Sequence, residues 1–121
     1  MHPFPTSEKL QFLLAGHPIL SQIGVNPYGV KLVLDNGCSI TSEGKLTYVD
    51  PEGSHFGYER EWRNEAPIRF HALLEQRLVL IDSEQLSLFL KFEKGALMVH
   101  SELGPYESGQ IHSADGSCLV F

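Results

Sequence analysis

The chain has 121 residues, 42% of them hydrophobic and 20% charged, and a formal net charge of −6. That length fits one domain with one core, and the composition is ordinary for a globular protein. No stretch approaches the roughly 18 consecutive apolar residues that a membrane span needs. The low pI, near 5.4, and the lack of any Lys/Arg run argue against nucleic acid, because phosphate backbones want a basic face. An acidic surface suits solubility or a basic protein partner.

Residues 1–6, MHPFPT, read as an extended arm. They lack the basic start of a secretory signal, so a cytoplasmic location is expected. Thr6 or Ser7 then caps a short helix whose buried stripe is Leu10, Leu13 and Leu14, with Phe12 beside it. Gly16 and His17-Pro18 stop it, since a residue before proline is pushed out of helical space. Ile19 to Val25 reads as a strand, and Asn26-Pro27-Tyr28-Gly29 as a turn. Val30, Leu32 and Leu34 alternate with Lys31, Val33 and Asp35 in a half-buried strand. Asp35-Asn36-Gly37 is a hairpin turn that exploits the tolerance of Asn-Gly for positive φ. Cys38 to Ser42 returns, Glu43-Gly44 breaks, and Lys45 to Val49 continues. Asp50-Pro51-Glu52-Gly53 forms a type I turn. A further strand carries Phe56, Tyr58, Arg60 and Trp62 on one face, with Gly57, Glu59, Glu61 and Arg63 on the other.

The pattern then starts again. Pro67 suits a first helical position, with Ile68, His71, Ala72 and Glu75 on one face and Phe70, Leu73, Leu74 and Arg77 beside it. Leu78 to Ile81 is a continuous apolar run, the mark of a strand buried on both faces. Leu86, Leu88, Leu90 and Phe92 alternate, Glu93-Lys94-Gly95 turns, and Ala96 to Glu102 returns. Tyr106 to His112 and Ser117 to Phe121 complete the set. Leu32, Leu34, Gly37, Ile40 and Tyr48 match Leu90, Phe92, Gly95, Met98 and Tyr106 at one separation of 58 positions (32 to 90). The expectation is an α+β domain spanning residues 1–121. It would be built from two pseudo-repeats, about 7–63 and 67–121, each a short helix followed by an antiparallel meander. Joined, they would give a curved sheet, a half-barrel or two packed sheets, because short turns demand antiparallel neighbours.

No P-loop, dinucleotide-binding glycine motif, H-E-x-x-H, paired C-x-x-C or nucleophile elbow is present. Cys38, just after a turn, and Cys118, in the last strand, read as two small half-buried thiols and not a disulfide framework. If residues 102–106 form a bend between adjacent strands, His100 and His112 approach across it near Glu102 and Glu107. Two imidazoles and a carboxylate are a zinc-type ligand set; the plainer reading is two solvent-facing histidines, with no metal or other cofactor. The recurring Ser42-Glu43 and Ser101-Glu102 pairs, with Tyr48 and Tyr106, are candidates for a shared cleft. Their structural explanation is backbone satisfaction at a strand break. Tyr58, Glu59, Arg60, Glu61 and Trp62 mix aromatic and charged side chains as binding hot spots do. Alternatively Trp62 closes the core and its charged neighbours guard an edge.

The C-terminal third carries the pattern Leu97, Val99, Ser101, Tyr106, Glu107, Ile111, then Gly116 and Leu119-Val120-Phe121. Before it stands Phe92-Glu93-Lys94-Gly95-Ala96-Leu97-Met98-Val99. This resembles small bacterial domains that sit among polymorphic-toxin immunity proteins, in which a Tyr-Glu-x-Trp element follows a strand of the F-x-D-G-x-x-L-x-V type. Glutamate replaces the aspartate here, and Gly109 stands at the tryptophan position. The motifs that carry the resemblance are packing-like and bring no activity with them, so it adds modestly to the reading as a binding module. The leading expectation is therefore a small acidic protein-binding module that neutralises a basic toxin, using Glu43, Tyr58, Glu59, Arg60, Glu61, Trp62, Glu102, Tyr106 and Glu107. The alternatives are a ligand binder or enzyme with a cleft between the two β halves, and a homo-oligomer joined through edge strands.

Overall fold

Short alternating runs separated by glycine turns build the molecule, and the computed structural model describes them over residues 3–26, 29–58, 68–101 and 108–121. The strands are β1 (Leu20–Asn26), β2 (Gly29–Leu34), β3 (Ser39–Ser42), β4 (Leu46–Val49), β5 (His55–Tyr58), β6 (Leu78–Ser83), β7 (Ser87–Phe92), β8 (Ala96–His100), β9 (Gly109–His112) and β10 (Cys118–Val120). They form two five-stranded antiparallel sheets, ordered β1-β2-β3-β9-β10 and β5-β4-β8-β7-β6. The chain is thus mostly β, with short helical segments.

The sheet order departs from a simple meander. β3 and β4 are consecutive but lie in different sheets, as do β8 and β9. The first sheet runs β1-β2-β3 and then takes β9-β10; the second runs β6-β7-β8 and then takes β4-β5. Each half of the chain therefore lends its last two strands to the other half's sheet. The sheets meet where the chain enters β1 and β6. Ile19 bridges Arg77 there. The Leu20 N–H donates to the Gln76 carbonyl at 3.0 Å and the Leu78 N–H to the Pro18 carbonyl at 2.9 Å. Residues 20 and 78, 18 and 76, and 19 and 77 all stand 58 positions apart, so the seam is symmetric about the Ile19–Arg77 bridge and each of these two bonds is the other's counterpart.

Alternation puts one face of each sheet into a common core. Leu32, Leu34, Ile40 and Ile111 come from the first sheet, and Leu46, Tyr48, Leu88, Leu90, Phe92, Leu97 and Val99 from the second. Phe121 is fully buried and stacks on Phe4 at 4.3 Å between ring centroids, so both ends of the chain reach this core.

The two helical segments, Ser7–Leu14 and Phe70–Leu73, are 3₁₀ rather than α. In a 3₁₀ helix side chains three apart eclipse each other. Leu10 with Leu13, and Phe70 with Leu73, therefore form the buried pairs. His71, Ala72 and Glu75, which share one face in the 3.6-residue reading, are solvent-exposed. Thr6 occupies the N-cap without a side-chain cap bond. Ser7 turns its hydroxyl to the Asp82 carboxylate, at 2.9 Å, tying the helix to β6.

Leu78 to Ile81 was expected to be buried on both faces; it is not. β6 is an edge strand, and its register shifts between Leu78 and Leu80. That bulge turns Leu80 away from the core while Leu78 and Ile81 stay in it. Val79 and Leu80 are 49% and 48% exposed.

Candidate functional site

The outward rows of the two sheets occupy equivalent places on the same plan but differ in chemistry. In the second sheet one outward row runs Thr47, Met98, Phe89, Asp82 across β4, β8, β7 and β6. Beside it on β6 stands Leu80. The corresponding row of the first sheet is Thr41, Lys31, Gly24 across β3, β2 and β1, with Gln22 beside it. Where the first sheet carries Ser21, Gln22, Lys31 and Thr41, the second carries Val79, Leu80, Phe89 and Met98. The backbone does not require this difference, because both hairpins bulge at the same point.

On this face lies a cavity of about 300 Å³ lined by Asp82, Ser83, Glu84, Ser87, Phe89 and Met98. Phe89 and Met98 are direct cross-strand partners, as are Phe89 and Asp82. The turn closing the β6–β7 hairpin sets the rim, with the Glu84 N–H donating to the Ser87 carbonyl at 2.9 Å. Asp82 is held in place: its Oδ1 accepts from the Ser7 hydroxyl and from the Ser83 N–H, both at 2.9 Å. Ser83 in turn donates its hydroxyl to the Pro5 carbonyl at 2.7 Å. The start of the first helical segment therefore fixes one carboxylate at the mouth, while Glu84 is exposed. Next along β8, His100 shares a 3.0 Å hydrogen bond between its Nε2 and the Thr47 hydroxyl. Burial, with the nearby Lys45 ammonium, holds this imidazole below its ordinary pKa.

A second cavity, about 240 Å³ and mostly apolar, lies between the first helical segment and the β9–β10 turn, lined by Phe12, Ala15, Asn36, Cys38, Ser113, Ala114 and Asp115. Asp115 accepts from the Ser113 hydroxyl and from the Ser117 N–H, which lower its pKa to about 2. Its carboxylate is thereby committed to closing the turn.

The residues singled out in the sequence fall elsewhere. Glu43 is exposed at the crossing from β3 to β4, where its N–H donates to the Ser108 carbonyl at 2.7 Å. Tyr48 is buried among core aromatics, its ring 6.1 Å from Phe56, and burial raises its phenol pKa. Neither cavity contains Glu43 or Tyr48. Tyr58 is 5% exposed; its hydroxyl accepts the Arg69 N–H at 2.8 Å and its ring packs edge-on against Phe70. It packs into the core. Glu59, Arg60, Glu61, Trp62, Glu102, Tyr106 and Glu107 lie outside the described residues.

His100 and His112 do not face each other across a shared bend, because β8 and β9 belong to different sheets. His112 is directly opposite Ser39 and Cys118. Its Nε2 lies 3.0 Å from Gln110 Oε1 and 4.0 Å from the Cys118 thiol. Among the described residues no group of three or more His, Cys, Asp and Glu side chains is placed to hold a metal ion. Both thiols are free, Cys38 buried and Cys118 exposed.

Sequence reasoning missed Leu80, Phe89, Met98 and Glu84. For three of them the signal was there: at a spacing of 58 positions Leu80, Glu84 and Phe89 stand where the first half has Gln22, Asn26 and Lys31, whereas Met98 falls against Ile40 at that spacing and shows no exchange. No protein-family model matches the chain, and comparisons with curated proteins and with solved structures return no match. Among the described residues no helix is long and apolar enough to cross a membrane.

Proposed function

We propose that the chain is a duplicated helix-plus-meander unit whose second sheet has become a protein-binding face. The observation that carries this reading is the exchange of Ser21, Gln22, Lys31 and Thr41 for Val79, Leu80, Phe89 and Met98 on equivalent outward positions. Val79 and Leu80 are half-exposed and Phe89 and Met98 partly so, and such apolar side chains beside charged ones have the anatomy of an interface, an apolar centre with a polar rim. The net charge of −6 selects a basic partner and speeds its approach. With the immunity-type resemblance of the C-terminal third, the partner that fits is a basic toxin, bound and blocked without catalysis.

The experiment is co-expression with the product of the adjacent gene, scored by cell survival and by the mass of the purified complex. Survival and a complex are expected with the natural chain, and loss of both with Leu80→Asp, which changes a half-exposed side chain and leaves the core intact. A neighbour product that ignores the natural chain overturns the reading, as does a complex indifferent to Leu80→Asp.

A further inference from the structure

The cavity on the outer face of the second sheet has a chemistry more specific than a general acidic surface. Its floor is an aromatic ring and a thioether, Phe89 and Met98, and its rim carries two carboxylates, Asp82 and Glu84. We propose that it is the anchor site for an arginine side chain of the basic partner. This rests on the protein-binding reading above and names the side chain that reading requires.

A guanidinium is flat, weakly hydrated and always charged, so it stacks on an aromatic face while its N–H groups reach carboxylates at the edge. The site offers that combination in one place. Asp82 is already immobilised by the Ser7 hydroxyl and the Ser83 N–H, both on Oδ1, so little ordering is left to do at that carboxylate. Glu84 supplies the second acceptor from the hairpin turn. Lys91 lies two residues along β7 on the same outward side, paired with Leu80 and Ala96. An incoming cation therefore enters from the Asp82 and Glu84 side, away from Lys91. The equivalent positions of the first sheet lack each feature: Lys31 stands for Phe89, Thr41 for Met98, Gly24 for Asp82 and Asn26 for Glu84. A shared scaffold accounts for the sheet and not for the site. Arginine is also among the residues most enriched at the energetic centres of protein interfaces.

The chain contains two methionines, Met1 and Met98, so methyl-labelled methionine reports on the cavity directly. The full-length protein is titrated at low salt with N-acetyl-argininamide, and in parallel with the citrulline analogue, which keeps the shape and lacks the charge. The expected result is a saturable shift of the Met98 methyl signal with the arginine probe and none with citrulline. Glu84→Gln should weaken apparent affinity about threefold to tenfold, and Phe89→Leu by a similar factor, from loss of a charge partner and of the ring face. An unmoved Met98 signal overturns the proposal. So does an equal response to citrulline, or a midpoint unchanged by Glu84→Gln. The two readings separate in the co-expression assay: a complex lost with Leu80→Asp but unaltered by Glu84→Gln and Phe89→Leu leaves the binding face standing and removes the arginine site.

Discussion

Asp35 and Glu93, 58 positions apart, hold the two sides of the seam in the same way. Asp35 Oδ1 accepts the Ile19 N–H at 3.0 Å, and Glu93 Oε1 accepts the Arg77 N–H at 2.9 Å. Ile19 and Arg77 are the two residues that bridge the sheets. The backbone reciprocates, with the Asp35 N–H donating to the Ile19 carbonyl and the Glu93 N–H to that of Arg77. Both carboxylates are exposed, so each bond is expected to contribute only about 1 kcal/mol. Asp35→Ala and Glu93→Ala should each lower the unfolding free energy measured in urea by about 1 kcal/mol. Because both bonds brace one bridge, the double variant should lose measurably less or more than the sum of the singles. Strict additivity would show that the seam is not a single coupled unit.

His100 gives the molecule a predictable acid sensitivity. Burial is the main reason its imidazole titrates below the ordinary value of 6.5, and Lys45 pushes in the same direction. The unfolded chain therefore binds this proton more readily than the folded one. The stability that follows is fully present above pH 6.5 and is lost as pH falls from there through the folded value. Imidazole NMR should place the His100 midpoint below those of model histidines, and Lys45→Ala should move it upward. In urea unfolding, His100→Gln should flatten the decline between pH 6.5 and the folded midpoint relative to the natural chain. A His100 midpoint at or above 6.5 would refute the assignment.

Turn chemistry was the most legible part of the sequence, because it is local. Asp35-Asn36-Gly37 and Glu93-Lys94-Gly95 form hairpins, with Gly37 and Gly95 at φ of 90° and 108°. Asp50 closes its turn by accepting the N–H groups of Glu52 and Ser54. Which sheet a strand joins was not legible. The residues at Glu43-Gly44 show a break but not that the chain crosses to the other sheet there. A fixed spacing of 58 also misleads beyond the first hairpin, since the loop after β7 is one residue shorter than the loop after β2. Leu90 pairs with Leu97 as Leu32 pairs with Ile40, so Ile40 corresponds to Leu97 and not to Met98. That single residue decides which side chain faces out, and hence hid Met98 from the candidate site. The bulge at Val79 did the same for Leu80.

Gly109 and Phe121 depend on each other. A Cβ at Gly109 would collide with the Thr41 carbonyl and with the Phe121 ring. The tryptophan that the immunity-type domains carry at this position would have no room here. Gly109 also exchanges backbone hydrogen bonds with Phe121, 3.1 Å each way. Gly109→Ala should cost about 1–3 kcal/mol, since the carbonyl of a paired strand cannot move aside. Phe121→Ala should cost about 3–5 kcal/mol by emptying a fully buried site against Phe4. Combined with Phe121→Ala, Gly109→Ala should cost less than it does alone, because part of its clash has been removed. Thermal or urea unfolding of the three variants checks this.

Ser42 is the place where the core is improvable. It is 2% exposed, faces inward between Val30 and Gly109, and its hydroxyl has no hydrogen-bond partner among the described residues. Its counterpart in the second sheet is Val99, which pairs with Leu88 as Ser42 pairs with Val30. An unpaired buried hydroxyl carries a desolvation cost that an apolar group of similar size does not. Ser42→Ala should therefore raise stability by about 0.5–1 kcal/mol. Ser42→Val, although it copies Val99, should not gain as much. Gly29 and Gly109 bring their backbones against the strand at this point, whereas Val99 has Leu46 as its neighbour. A urea midpoint lower for Ser42→Ala than for the natural chain would mean that the hydroxyl stabilises the fold after all.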